Sequence, residues 1–345
     1  MNSYTLKVFQ IKQETKDTVT LCFKQPGLRK IKYKAGQYLT LSFRINGRKY
    51  TRPYSLSSSP SVDSLLEVTI KRVPHGIVSN YINDYVKVND TIEVIEPMGD
   101  FTFDILHSQS TIYLWGVGSG ITPLYSLTKE ILKTQSNTKI HLVYGNKLKE
   151  SSIFSKQLLH LQQENANVFK LTHFYSQENI INEGNEVLKG RINPDFVSNL
   201  FSQNANCKDS VHYICGPIGL KETVKNALFK LNIPSSSIFI EDFELVIDPK
   251  ELESLEDCKV SLLFDGVITN LFIPKGKSVL EIALDNKIEI PYSCQTGNCN
   301  TCKGIVKNGK LKMLGLNKER NDLAQDEFLL CCSYPLTSEV SVEVK

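Results

Sequence analysis

The chain has 345 residues, 41% of them hydrophobic and 22% charged, an ordinary globular composition with material for two or three domains of roughly 150 residues each. Lysine plus arginine (40) nearly balance aspartate plus glutamate (37), a formal charge of +3, so no basic field points to nucleic acid. Disordered, collagen-like and coiled-coil classes are excluded.

The predicted elements follow in chain order. Period-two alternation marks strands over residues 4–13, 18–23, 38–43, 65–73 and 91–95, with Asn46-Gly47 as a tight hairpin turn. One helix is predicted from Gly76 or Ile77 to about Tyr85. Many short strands and a single helix make residues 1–105 a small antiparallel β-barrel. From 106 to 245 the pattern changes to alternating strands and helices, a doubly wound and mostly parallel α/β sheet. Its strands are predicted at 111–115, 139–144, 168–174, 211–215 and 237–241, and its helices at 123–132, 152–162, 194–201 and 220–231.

Residues 246–258 include the acidic run DPKELESLED and read as a linker with one possible helical turn. Beyond it, residues 259–345 show strands 260–264 and 270–273 around Asp265-Gly266, a helix over 278–286 and a closing strand over 339–344. The most apolar stretch, Ile112 to Leu127, is broken by Gly116, Gly118, Gly120 and Pro123. It falls short of the roughly 20 apolar residues of a membrane span, and none is expected. The opening MNSYTLKVFQIKQE lacks the basic start and apolar core of a secretion signal, so the expected location is cytoplasmic.

Nine cysteines are the first chemical signal, five of them in the last fifth of the chain. Without a secretion signal such clustering points to metal or redox chemistry rather than a disulfide framework. Cys294-x4-Cys299-x2-Cys302, with a fourth cysteine at Cys331 or Cys332, has the plant-type [2Fe–2S] ligand spacing. Two bridged irons need four converging thiolates, and Gly297 lets the three-cysteine loop fold tightly. Structural zinc is the alternative, although zinc usually takes cysteines in two close pairs. Spacing alone does not choose between Cys331 and Cys332.

Arg52-Pro53-Tyr54-Ser55 is the second signal. On an extended strand it offers a cation for a flavin pyrophosphate, an aromatic ring for the isoalloxazine and a hydroxyl near N5, although such a tetrapeptide also suits a plain β-edge. Gly76-Ile77-Val78-Ser79 opens the predicted helix and offers free N–H groups to a phosphate, or is simply an N-cap. The third signal is Gly116-x-Gly118-Ser119-Gly120-x-Thr122-Pro123, between strand and helix. It departs from the common dinucleotide fingerprint, yet its small residues let backbone N–H groups approach a pyrophosphate. Cys215-Gly216-Pro217 follows a strand at the sheet edge where α/β folds bind ligands. His75, His107, His141, His160, His173 and His212 form no ligand spacing.

Together these motifs resemble the ferredoxin–NADP reductase superfamily, whose flavin barrel carries Arg-x-Tyr-Ser and a downstream Gly-x-x-Ser. Pro97–Phe101 resembles the closing strand of that barrel, and residues 259–345 resemble a plant-type ferredoxin through PYSCQTGNCNTCKG and FLLCCSYP. The module order is similar to reductase components of multicomponent oxygenases, of the phenylacetyl-CoA epoxidase reductase type.

The resemblance implies three cofactor sites. The ligand three residues before Tyr-Pro is Cys331, so the cluster ligands are Cys294, Cys299, Cys302 and Cys331. Lys71 stands where the family adds a flavin phosphate contact, Cys215 beside the nicotinamide, and Glu241 and Phe243 at the flavin ring. Ser55, Cys215 and Glu241 become the expected catalytic residues. FAD is favoured over FMN because Pro53 replaces the threonine usual in FMN reductases. NADPH users often show Ser-Arg where this chain has Ser176-Gln177, which tilts the donor to NADH, although Lys147 and Lys149 offer compensating charge.

The implied activity passes two electrons from NAD(P)H to the flavin, then single electrons to the cluster and to a protein acceptor, an oxygenase or hydroxylase component. A hybrid-cluster protein or desaturase as acceptor, and a non-catalytic iron–sulfur redox sensor, are the alternatives.

Overall fold

The computed structural model describes residues 2–25, 30–103, 111–178, 186–202 and 209–344. The expected boundary at 105/106, together with His107 and Cys207, lies outside the described residues. Two compact units form: Met1–Leu41 with Tyr54–Glu241, and Ser42–Pro53 with Asp242–Lys345.

The N-terminal sheet comprises β1 (Ser3–Thr15), β2 (Thr18–Phe23), β3 (Tyr38–Ile45), β4 (Arg48–Ser55), β5 (Leu66–Lys71) and β6 (Thr91–Met98), with α1 (Ile77–Tyr85) between the last two. Strand order is β4-β3-β6-β1-β2-β5, and an antiparallel bridge from Leu56 to Val68 links the ends of the sheet into a barrel. Leu6, Val8, Leu21, Phe23, Leu39, Leu41, Val68 and Ile70 fill its interior, as inward positions of a small barrel must. Asn46 and Gly47 take positive φ values of 50° and 80°, the turn the sequence predicts.

The second sheet contains β7 (Ile112–Val117), β8 (Ile140–Asn146), β9 (Phe169–Tyr175), β10 (Val187–Lys189), β11 (Val211–Cys215) and β12 (Ile238–Glu241). The helices are α2 (Ile121–Thr134), α3 (Ser155–Glu164), α4 (Pro194–Ser202) and α5 (Ile218–Lys230). All pairings are parallel, in the order β10-β9-β8-β7-β11-β12. One face buries Leu114, Leu142 and Leu171 with Leu124 and Leu158; the other buries Trp115 and Val143 with Val197 and Val224. Covering both faces explains why the strands read as continuous apolar runs. Strand order reverses at β7 and β11, so the ligand crevice lies at their carboxyl ends. Helix α2 starts two residues before the predicted Pro123, which falls in its first turn, where a missing N–H is tolerated.

In the second unit, α6 (Pro249–Glu253) precedes β13 (Cys258–Phe264), β14 (Val267–Ile273), α7 (Val279–Asp285), β15 (Lys303–Asn308), β16 (Leu311–Met313), β17 (Glu327–Leu329), β18 (Ser333–Pro335) and β19 (Glu339–Val344). Strand order is β14-β13-β19-β15-β17, with β16 and β18 paired separately. Helix α7 starts at a Ser278 cap, whose Oγ accepts from the Glu281 N–H at 3.2 Å. The acidic segment expected as a linker carries a small core of its own: Ile247, Leu252 and Leu255 pack with Leu314 and Tyr334. The Ser42–Pro53 hairpin belongs to this unit, with Arg44 and Arg48 paired to Glu289 and Asp285 and the Thr51 N–H donating to Tyr292 Oη at 2.9 Å.

Among the described residues no helix is long and apolar enough to cross a membrane.

Candidate functional site

Arg52, Pro53, Tyr54 and Ser55 occupy the second half of β4. Ser55 is buried, while the other three are partly exposed. The strand therefore presents a cation and an aromatic ring outward. Arg52 Nη1 donates to the Thr51 carbonyl at 2.8 Å. Helix α1 starts at Gly76 without a side-chain cap. Ser79 Oγ instead accepts from the Val73 N–H at 3.1 Å, which leaves the first turn, with Ile77 and Val78, without a capping side chain. An uncapped helix start of this kind fits a phosphate. Lys71 Nζ lies 3.6 Å from the Asp17 carboxylate, at the β1–β2 turn.

In the nucleotide sheet, β7 ends at Val117, and Gly118-Ser119-Gly120 make one 3-10 turn before α2. Tyr144 Oη donates to the Gly118 carbonyl at 3.1 Å, and Thr122 Oγ1 to the Ser119 carbonyl at 2.9 Å. A Cβ on Gly120 would lie 2.1 Å from the Cys215 carbonyl oxygen, so only glycine allows the loop to abut β11. Register places Gly116, Cys215 and Glu241 side by side across β7, β11 and β12. Three expected residues thus meet at the carboxyl edge of the sheet. Burial first, and then the Glu241 carboxylate, push the Cys215 thiol well above its ordinary range, so it stays protonated. Phe243 lies beyond β12, is exposed and falls in the second unit.

Sequence reasoning missed a polar seam that ties the loop after Ser55 to α2. Ser57, Ser58 and Ser59 are fully buried, yet each hydroxyl is bonded: Ser57 to Thr69, Ser58 to Tyr33 and Ser59 to Glu130. Lys129, only 6% exposed, pairs with Asp63 and sits 4.4 Å above the Tyr125 ring. No local signal in the sequence marks Lys129 as buried; its partner is 66 residues away.

The cysteines converge as well. The Cys294 thiol contacts Cys299 and Cys331, and Cys302 contacts Cys331. These contacts form an open chain of four donors, and among the described residues no three such side chains gather around one point. The neighbouring Cys331 thiol, then burial, push the Cys302 thiol well above its ordinary range. Each thiol so raised gives up its proton readily only to a metal cation, and four cysteines held this close are the donor set a [2Fe–2S] cluster requires. Cys332 is buried, bonds the Leu329 carbonyl at 3.4 Å and borders the same loop, since a Cβ on Gly297 would lie 3.3 Å from its Sγ. Gly297 has φ +73°, and a Cβ there would meet Leu316 at 2.3 Å.

Residues 5–103 match the family described as an oxidoreductase FAD-binding domain, residues 114–226 an oxidoreductase NAD-binding domain, and residues 265–336 a 2Fe-2S iron-sulfur cluster binding domain. The chain is 30% identical to a component of the 1,2-phenylacetyl-CoA epoxidase of Escherichia coli, over 99% of this chain and 97% of that one. It is also 30% identical to the ferredoxin reductase component of the 3-ketosteroid-9-alpha-monooxygenase of Rhodococcus rhodochrous, with the same coverage. Phthalate dioxygenase reductase shares the fold with a TM-score of 0.69 at 21% identity, covering 99% and 98% of the two chains. A type IV self-sufficient cytochrome P450 monooxygenase matches equally well at 18% identity, and this chain spans 41% of its length. The chain thus belongs to the ferredoxin–NADP reductase superfamily, in the branch that joins FAD-binding, NAD-binding and 2Fe-2S domains in one polypeptide, and is an NAD(P)H-dependent electron-transfer oxidoreductase.

Proposed function

We propose that the protein supplies electrons from NADH to an oxygenase or hydroxylase component. The observation that carries this reading is the presence in one chain of a glycine loop at the carboxyl edge of β7 and β11, which suits a two-electron pyridine nucleotide, and four neighbouring thiols, which suit a one-electron carrier. Relatives named as part of an epoxidase and as monooxygenase reductases support an oxygenase acceptor over a hybrid-cluster protein or a desaturase. A nucleotide crevice has no use in a non-catalytic sensor.

Arg52 and the first turn of α1 hold the flavin pyrophosphate, with Lys71 adding charge. Tyr54 would lie against the ring system, and the Ser55 hydroxyl would be offered to its reacting edge. The loop Gly116–Pro123, with Gly216 and Pro217, receives the dinucleotide. Cys215, a buried and protonated thiol at the end of β11, orients the nicotinamide, and Glu241 closes the same edge. Cys294, Cys299, Cys302 and Cys331 hold the cluster. When bound, the flavin divides a hydride's electron pair into single electrons.

Preference for NADH is supported at the end of β9. The Ser176 N–H donates to the Asn146 carbonyl at 3.0 Å, and Glu178 accepts from the Lys149 N–H at 3.0 Å. A carboxylate there opposes a 2′-phosphate. Five cysteines crowded in the last fifth of the chain, an arrangement suited to a redox centre rather than a disulfide framework, support a reducing compartment, the cytoplasm. We place module limits near residues 105, 245 and 258, in the gaps between the matched ranges 5–103, 114–226 and 265–336.

Anaerobic absorbance titration with NADH and with NADPH tests the reading. Bleaching of flavin and cluster bands at a lower NADH concentration is expected. Bleaching of the flavin alone, or saturation at lower NADPH, would overturn the electron path or the donor assignment respectively.

A further inference from the structure

Arg320 lies between β16 and β17, yet its side chain is only 5% exposed. Its guanidinium reaches the cysteine loop. Nη1 donates to the Gly297 carbonyl, between Cys294 and Cys299, and Nη2 to Asn300 Oδ1, just beyond Cys299. Nε and Nη2 also hold the two Asp322 carboxylate oxygens at 2.7 and 2.8 Å. The Cys299 and Cys294 thiols are within electrostatic reach of the same guanidinium.

The ion pair is not symmetrical. Asp322 is 53% exposed, so water screens part of its charge and leaves the rest to oppose the cation, whereas the guanidinium faces the loop with little water around it. Burying a cation is costly unless something nearby uses its charge. Arginine keeps that charge at any pH the protein meets. Four thiolates around two irons carry net negative charge, and each electron received adds one more.

We propose that Arg320 is a positioning charge that raises the reduction potential of the cluster, stabilising its reduced form from the Cys294–Cys299 side. The step it would assist is the one-electron reduction of the cluster: the irons gain one electron and reduced flavin loses one, with any proton released at the flavin and none taken up at the cluster. The inference rests on the assignment of Cys294, Cys299, Cys302 and Cys331 as cluster ligands.

An EPR-monitored redox titration of the holoprotein tests it. Arg320→Gln is expected to lower the reduced-to-oxidised ratio about tenfold at a fixed poise, a shift of ~59 mV for one electron, with the flavin midpoint unchanged. Arg320→Lys keeps the charge and should retain most of the midpoint. Asp322→Asn removes the opposing charge and should move the midpoint upward. Opposite shifts in Arg320→Gln and Asp322→Asn support a charge effect, because loosening the loop would move both the same way. Unchanged midpoints, or shifts of one sign, in variants with full iron content would overturn the proposal. Should Arg320→Gln fail to hold iron, Asp322→Asn decides: a rise supports the proposal and no shift overturns it. Absence of a reduced-cluster signal in the iron-loaded parent would instead overturn the ligand assignment itself.

Discussion

Three histidines buried in the nucleotide sheet make its stability sensitive to mild acid. Burial lowers His141 and His173 to about 4, with Lys170 and Lys149 respectively adding to it, and lowers His212 to about 3. His212 shows why. Trp115 Nε1 donates to its Nδ1 at 3.2 Å, and an indole N–H can only donate. Nδ1 must therefore keep its lone pair, and protonation would set two N–H groups against each other. In the unfolded chain each ring titrates near 6.5, so the folded value is depressed. The full stability is present above about pH 6.5 and is lost as the pH falls from there towards the folded values. At about pH 5 each ring costs roughly 2 kcal/mol, and the three together ~6 kcal/mol, a large share of the 5–15 kcal/mol typical of a folded domain. Urea unfolding followed by the fluorescence of Trp115, the only tryptophan, measures this directly. His212→Asn should remove about one proton from the linkage, flattening the slope by ~1.4 kcal/mol per pH unit at the acid end. Cluster loss in acid affects both proteins and cancels in the difference. Parallel curves for parent and variant between about pH 6.5 and pH 5 would refute the reasoning.

Other substitutions read the remaining parts of the molecule. Lys129→Met strands Asp63 and should cost about 3 kcal/mol in urea unfolding; a loss under ~0.5 kcal/mol, typical of surface substitutions, would mean that the pair is solvated. Gly120→Ala forces a methyl into the Cys215 carbonyl and should weaken NADH binding at least tenfold, measured by stopped-flow flavin reduction, while flavin content is kept. Cys331→Ser should abolish the cluster absorbance and Cys332→Ser should preserve it; the reverse result would exchange their roles. Cys215→Ala is expected to slow hydride transfer about tenfold without loss of flavin, and an unchanged rate would remove that side chain from the reaction.

Much of this architecture is legible in the sequence because the forces that set it are local. Alternation exposes the barrel strands, uninterrupted apolar runs expose the doubly covered sheet, and ligand spacing exposes the cysteine loop. Strands β10, β16, β17 and β18 have three residues each; at that length pairing depends on neighbours rather than on intrinsic preference. Lys129 and Arg320 are hidden for a related reason. Each reads as a solvated surface charge, and only contacts across 66 and 23 residues of chain reveal it as buried. The acidic segment carries the helical turn expected of it, α6, while its composition concealed Ile247, Leu252 and Leu255, three apolar side chains that find a small core.

The second unit is sewn from two stretches of chain, and this has a consequence for how such reductases can be cut and recombined. The iron–sulfur match begins at residue 265, where a domain swap would naturally be made. A graft from that point leaves behind the apolar residues of the 247–255 segment, together with Asp242, which receives the Asn317 amide. It also leaves behind Thr51, whose N–H serves Tyr292. Heredity can therefore exchange the C-terminal module intact only if the junction falls before Asp242 and the distant hairpin of the recipient suits it. Chimaeras joined at residue 265 should express poorly, while those joined before 242 with a transplanted 42–53 hairpin should hold iron.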